Sequence, residues 1–202
     1  MLYNSLLHTK EKIILETITQ IHESGIHGIS TKEIAKRVGI SEPAIFKHFK
    51  SKGEILLAVL DHFSLYDNDI IQSLQTKNLS PLESLRTFID VFISYYENYP
   101  AIASLTLNLP ILHNDEIYQN KVQHILKKRY HFISKLLEEA KTLGDIKQGV
   151  DTEAFTIVIV GAIKEWCHQW REMDYQFSLR DRMLTTVTML LEAIQTKNEE
   201  RK

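Results

Sequence analysis

Residues 30–52 read STKEIAKRVGISEPAIFKHFKSK, and this stretch decides the fold. Ser30 and Glu33 have the spacing of a capping box, so a helix is expected to start there. Ile34, Ala35 and Val38 give that helix one apolar stripe, and the small Ala35 lets a second helix cross closely. Gly39 stands where the first helix must stop and the chain must turn, a position for positive φ that glycine fills at least cost. Ser41 is expected to cap the next helix. On that helix Ile45, Phe46 and Phe49 supply apolar surface, while Glu42, Ala44, Lys47 and His48 fall on or near the opposite face. Two short helices joined by a glycine turn, the second amphipathic and basic at its end, form the helix-turn-helix pattern, whose second helix enters a DNA major groove.

Working outward, Ile13, Ile14, Ile18 and Ile21 predict a helix from about Thr9 to Ser24, ended by Gly25 and Gly28 around His27. Ser51 and Glu54 repeat the capping-box spacing and open a long helix from Lys52 to Gln75, with Ile55, Leu56, Val59, Leu60, Phe63 and Tyr66 facing inward. Ser80-Pro81 opens another, and Pro100 is expected to close it. A short helical piece over Ala101–Leu107, a loop over Pro110–Asn114, and helices over Asp115–Thr142, Asp151–Glu172 and Leu179–Thr196 complete the pattern, with Asn198–Lys202 as a charged tail. The expected fold class is all-α. A helix-turn-helix head of three helices occupies residues 1–50, and a larger helical body for ligand binding and dimerisation occupies residues 51–202.

Composition agrees with this. Hydrophobic residues make up 44% of the 202, enough for a core, and with only 7 Gly and 4 Pro an all-helical chain is favoured. No apolar run approaches the roughly 20 residues needed to span a bilayer, the N-terminus lacks the build of a signal peptide, and the single Cys167 excludes an internal disulfide framework. A cytoplasmic location without membrane attachment is therefore expected. The net charge of −2 does not by itself suggest a nucleic-acid binder, but residues 1–55 hold eight Lys and Arg against six Glu. A mildly basic head thus precedes an acidic body.

The run from Ile40-Ser41 through Phe46-Lys47-His48-Phe49 to Lys52, with Gly25, Thr31, Ile34-Ala35 and Val38-Gly39 before it and Leu56 or Leu57 after it, resembles the tetracycline-repressor (TetR) family of bacterial transcription regulators. The resemblance covers about the first quarter of the chain; beyond it only the helical layout matches. It implies a homodimer that binds a roughly palindromic double-stranded DNA operator, and a small-molecule effector in the body that alters the spacing of the two heads. It also implies that Thr31, Ser41, Lys47, His48 and Lys52 touch phosphates or base edges, and that Glu42 and Ala44 read bases. Chemically, Glu42 is able to accept from a cytosine amino group and Ala44 to touch a thymine methyl, while Glu42 equally suits the positive end of the helix dipole. Phe46 matches a position often held by tyrosine, but phenylalanine offers a phosphate no donor. Phe46 and Phe49 are instead expected in the core between the head and the fourth helix.

In the body, Phe63, Tyr66, Phe88, Phe92, Tyr96, Trp166 and Trp170 are the candidates for an effector site, because tyrosine and tryptophan combine apolar surface with a polar handle. They suggest a small apolar or aromatic ligand. The last two helices carry Phe155, Val158, Ala162, Ile163 and Trp166, then Leu184, Val187, Leu190, Leu191 and Ile194. These residues suit a four-helix homodimer seam through the two C-terminal helices, and equally the closing of the monomer core. No pair of the nine histidines has the i, i+4 spacing of a helical metal site, so neither a metal nor a cofactor is expected. No nucleophile motif or phosphate loop is present, so the chain is not read as an enzyme. The function expected is a ligand-responsive DNA-binding regulator, most simply a repressor released from its operator by the effector. The alternatives are a corepressor-dependent regulator and a helical small-molecule carrier that never touches DNA.

Overall fold

The computed structural model describes residues 7–196, so the charged tail expected at Asn198–Lys202 lies outside the described residues. Among the described residues there are nine α-helices: α1 (Thr9–Ser24), α2 (Thr31–Val38), α3 (Glu42–Ile45), α4 (Lys52–Gln75), α5 (Pro81–Asn98), α6 (Pro100–His113), α7 (Glu116–Thr142), α8 (Thr152–Glu172) and α9 (Leu179–Ile194). A single antiparallel bridge pairs Ile146 with Gln195. The fold is all-α, as the periodicity of the sequence requires. The chain forms two compact units, and α4 and α7 each contribute residues to both.

The first unit comprises the residues up to Tyr66 together with Tyr99–Gln123, and so contains α1–α3, the start of α4, all of α6 and the start of α7. Its core holds most of the positions read from the sequence: Ile13, Ile18 and Ile21 on α1, Ile34 and Ala35 on α2, and Ile55, Leu56, Val59 and Leu60 on α4 are buried, while Ile14 and Val38 are half-buried. Removing this much apolar surface from water, at ~25 cal/mol per Å2, is what holds short helices such as α2 and α3 in place. The α1 and α6 helices pack together, and His22 Nδ1 meets Ser104 Oγ at 2.7 Å. Since the Ser104 hydroxyl donates its one proton to the Pro100 carbonyl at 3.2 Å, His22 is the donor in this pair.

Here one expectation is corrected. Residues 110–114 were expected as a loop, but α6 continues through Pro110 to His113. The buried positions Ile102, Leu105, Leu109 and Leu112 keep helical spacing across the proline, and their burial outweighs the ~3 kcal/mol that an interior proline costs. Pro100 marks the end of the preceding helix, as expected, since α5 stops at Asn98, and it also opens α6 at the first-turn position where a missing N–H is tolerated.

The second unit comprises Asp67–Asn98 and the residues from His124 onward. Leu85, Phe88, Ile89, Phe92 and Tyr96 of α5 are buried in it, with Phe132, Ile133, Leu136 and Leu137 of α7. α5 packs on α9, and α8 on α9. Asp151 caps α8 by accepting from Ala154 N at 3.0 Å, and Ser178 caps α9 by accepting from Asp181 N at 3.1 Å. Ile163, Val187 and Leu191, candidates for either seam or core, are buried within this unit, whereas Ile157, Val158 and Met189 are exposed.

Candidate nucleic-acid interface and body site

The turn between α2 and α3 forms as its residues require. The Ser30 hydroxyl accepts from Glu33 N at 3.3 Å, and Gly39 ends α2 in the left-handed region at φ 80° and ψ 32°. Ser41 precedes α3 but makes no side-chain cap, contrary to expectation. The second helical position is Pro43, which has no N–H to give, and the third N–H, that of Ala44, is taken by the Ser41 carbonyl at 2.9 Å. α3 itself is a single turn. Bonds from Lys47 N to Ala44 O, from His48 N to Ile45 O and from Phe49 N to Ile45 O carry the coil on to Phe49. Ile45 and Phe49 anchor this rod in the core, with the Lys10 ammonium 5.3 Å from the centre of the Phe49 ring. Phe46, expected in the core beside Phe49, is 47% exposed, because one residue after Ile45 the coil has turned its side chain away from the anchored face.

The candidate contact residues lie along the outside of this rod. Ser41, Lys47, His48 and Lys52 are exposed, and Glu42, Ala44 and Thr31 are half-buried. Lys52 Nζ donates to the Ile29 carbonyl at 2.8 Å, which ties the start of α4 to the approach to α2 and leaves two of its three ammonium protons for other acceptors. The Thr31 hydroxyl donates to Glu42 Oε1 at 2.6 Å, joining the first residue of α2 to the first residue of α3. Behind them Arg37 gathers three carboxylates: Nη1 lies 2.9 Å from Glu23 and 3.1 Å from Glu16, and Nε lies 3.0 Å from Glu33. The bonds to Glu23, then Glu33, raise the pKa of the guanidinium, while burial raises that of Glu16 against the pull of Arg37.

The aromatic candidates of the body fall into separate groups. Phe63 is buried and Tyr66 half-buried in the first unit. In the second, Phe88, Phe92 and Tyr96 line one face of α5, with ring centres 5.7 Å apart for Phe88–Phe92 and 4.4 Å for Phe92–Tyr96. Trp166 donates its indole N–H to Thr186 Oγ1 at 2.9 Å, and the buried Trp170 donates to the Phe177 carbonyl at 2.9 Å. Against the α5 aromatics lies a charge pair the sequence reading passed over. Arg129 donates to Asp67 through Nε at 2.5 Å and Nη2 at 3.2 Å, and its guanidinium carbon stands 4.5 Å from the centre of the Phe92 ring. The Asp67 side chain is 4% exposed and that of Arg129 is 11% exposed. Burial lifts the Asp67 carboxyl above its usual range in spite of the adjacent guanidinium. The signal was available: Arg129 occupies a position in the stripe Val122, Ile125, Phe132, Leu136, and Asp67 one in the stripe Phe63, Ile70, Ile71, Leu74. Nearby Cys167 is buried, which pushes its thiol up to about 12.

Comparison with known proteins fits this geometry. Residues 13–59 match the profile of the bacterial regulatory proteins of the tetR family, and residues 45–193 match that of the YsiA-like protein C-terminal region. The chain belongs to the tetR family of bacterial regulatory proteins. It is a DNA-binding transcription regulator of a ligand-responsive, dimerising family. Among its relatives is the fatty acid metabolism regulator protein of Bacillus subtilis (strain 168), 25% identical over 191 residues that span 92% of this chain and 95% of that protein. A crystal structure of the transcriptional regulator FadR from Bacillus subtilis in complex with stearoyl-CoA superposes with a TM-score of 0.79 at 25% identity, covering 92% of this chain and 99% of the other. The ketosteroid transcriptional regulator KstR2 of Mycobacterium tuberculosis shares the fold, with a TM-score of 0.81 at 14% identity over 95% and 97% of the two chains. No helix of the described residues is long and apolar enough to cross a membrane, and no group of three or more described His, Cys, Asp or Glu residues is placed to hold a metal ion.

Proposed function

We propose that this regulator is a repressor whose α3 lies in the major groove of each half of a palindromic operator, and which a long-chain fatty acyl thioester releases. On this reading residues 1–50 are the DNA-binding part and residues 51–202 the effector and dimer part. The observation that carries the DNA half is the rod from Ser41 to Phe49: anchored inward by Ile45 and Phe49, it presents Lys47 and His48 outward, with Lys52 just beyond. Lys47, His48, Ser41 and Lys52 contact phosphates, while Glu42 and Ala44 face base edges. Two copies meet through α8 and α9, where Ile157, Val158 and Met189 are exposed and Gly161 allows close approach. The dimer must set its two rods about 34–36 Å apart to enter successive major grooves.

The effector class rests on the FadR structure, which holds stearoyl-CoA and aligns with 92% of this chain. Within the second unit, Phe88, Phe92, Tyr96, Trp166 and Trp170 are the aromatic residues proposed to border the acyl chain. A ligand that binds better to a dimer of different rod spacing weakens operator binding by the same coupling free energy. The protein acts in the cytoplasm, where its operator is, and it is not a catalyst. The Cys167 thiol is buried and held protonated at neutral pH, so it offers no thiolate.

The test is selection of duplexes from a random pool by the full-length protein, followed by titration of the selected duplex with and without stearoyl-CoA. The expected result is a palindromic consensus, salt-dependent affinity, and release by stearoyl-CoA but not by free coenzyme A. Failure to enrich any duplex would overturn the regulator reading. Enrichment with indifference to stearoyl-CoA would overturn only the effector class.

A further inference from the structure

The bond between Thr31 and Glu42 has a consequence for sequence specificity. Each residue opens one helix of the motif, and the Thr31 hydroxyl places its single proton on Glu42 Oε1 at 2.6 Å. The acceptor is a carboxylate, so the bond is of the short, charge-assisted kind. A hydroxyl committed in this way offers a phosphate only lone pairs, which repel it. We infer that Thr31 is a positioning residue rather than a phosphate contact: it fixes Glu42 so that the carboxylate reads one base pair in the major groove. The inference rests on the reading that α3 enters that groove.

The chemistry of the pair names the base. A carboxylate facing DNA costs general affinity, so its favourable use is to accept from an exocyclic amino group. Thr31 occupies Oε1, which leaves Oε2 for a single donor. Cytosine presents its N4 amino group in the major groove, the partner that a carboxylate accepts from. Adenine presents N6 but places its N7 acceptor next to it, against the carboxylate. Guanine and thymine present acceptors, O6 and N7 or O4, directly to the carboxylate. The expected order at this position is cytosine, then adenine, then thymine and guanine together. Fixing Glu42 before binding also removes part of the rotamer entropy that a free glutamate loses on ordering, so discrimination is gained without a further contact.

The test uses the full-length protein and the duplex it selects, with the base pair opposite Glu42 varied four ways. That pair is identified as the one whose preference changes in Glu42→Gln. Wild type is expected to prefer cytosine over guanine by about tenfold or more. Thr31→Val, which keeps the shape and removes the hydroxyl, should lose most of that preference while binding to unrelated duplex stays within about twofold, and Thr31→Ser should restore it. Glu42→Gln should move the preference toward adenine, which glutamine pairs with through N6 and N7. Thr31→Val combined with Glu42→Gln should discriminate no worse than Glu42→Gln alone. Unfolding midpoints of all variants serve as the control for folding. Equal weakening on all four duplexes by Thr31→Val would make Thr31 a phosphate contact and overturn the inference, as would discrimination that survives the change. If wild type selects no duplex, the regulator reading itself falls, a result distinct from both.

Discussion

Two arginines show how differently the two units use charge. Arg37 gathers Glu16, Glu23 and Glu33 near the surface of the helix-turn-helix region, where water competes for Glu23 and Glu33 and only Glu16 is partly shielded. Arg129 meets Asp67 against the Phe92 ring, in surroundings that are nearly dry. Gathering three carboxylates does not make the first arrangement strong. Exposed pairs contribute little because solvent screens them and long side chains lose freedom in making them. A buried pair is different in kind. Forming it costs desolvation, but removing one member strands a charge in a low-dielectric core. The surface network therefore adds little to the stability of the first unit, whereas the buried pair is needed to hold the second unit together.

This contrast can be broken in several ways. The largest effect is expected from Asp67→Ala, which should lower the unfolding free energy by about 3–5 kcal/mol, read from denaturant midpoints. Replacing both partners with apolar residues of similar volume, as in Asp67→Leu with Arg129→Met, should recover most of that loss. A loss under ~1 kcal/mol for Asp67→Ala would show that water reaches the pair and that the contrast is overstated. Next, Lys47→Ala should weaken binding to every duplex and reduce the slope of log affinity against log salt by about 0.9, the signature of one lost phosphate contact. Arg37→Ala should shift the unfolding midpoint far less than Asp67→Ala despite its three partners, and the shift should shrink further in high salt.

The smallest effect is a pH dependence in the first unit. Burial depresses the pKa of His62 below its ordinary value of 6.5. A depressed folded-state pKa contributes stability that is fully present above 6.5 and is lost as the pH falls through the lower, folded value. His62→Leu should flatten the loss of stability over that acidic window. An unchanged profile would assign the acid sensitivity to other groups.

Much of the fold was legible because its signals are local. The boundaries of α1 and α4 follow from caps, glycines and isoleucine spacing, and Gly39 adopts the left-handed conformation that the turn demanded. The errors share a cause: each judged a residue by its type where its position on a helix decided. Pro110 was read as a breaker, but the apolar face of α6 runs through it. Phe46 was read as core because it is aromatic, yet Ile45 and Phe49 hold the inward positions of that coil. Arg129 carries a charge, yet it falls in the buried stripe of α7. Nor does sequence spacing reveal that Thr31 and Glu42, which start different helices, meet at 2.6 Å. That contact depends on how α2 and α3 cross.

The account stands or falls on whether the coil from Ser41 to Phe49 occupies the major groove. Methylation interference at guanine N7 on the selected duplex tests this directly, because N7 lies on the major-groove edge and its methyl group blocks a side chain or helix placed there. The account predicts that methylation within each half-site abolishes binding by the full-length protein, with the two sensitive clusters one helical turn apart. Binding that tolerates N7 methylation throughout, but fails when the minor groove is filled, would contradict it.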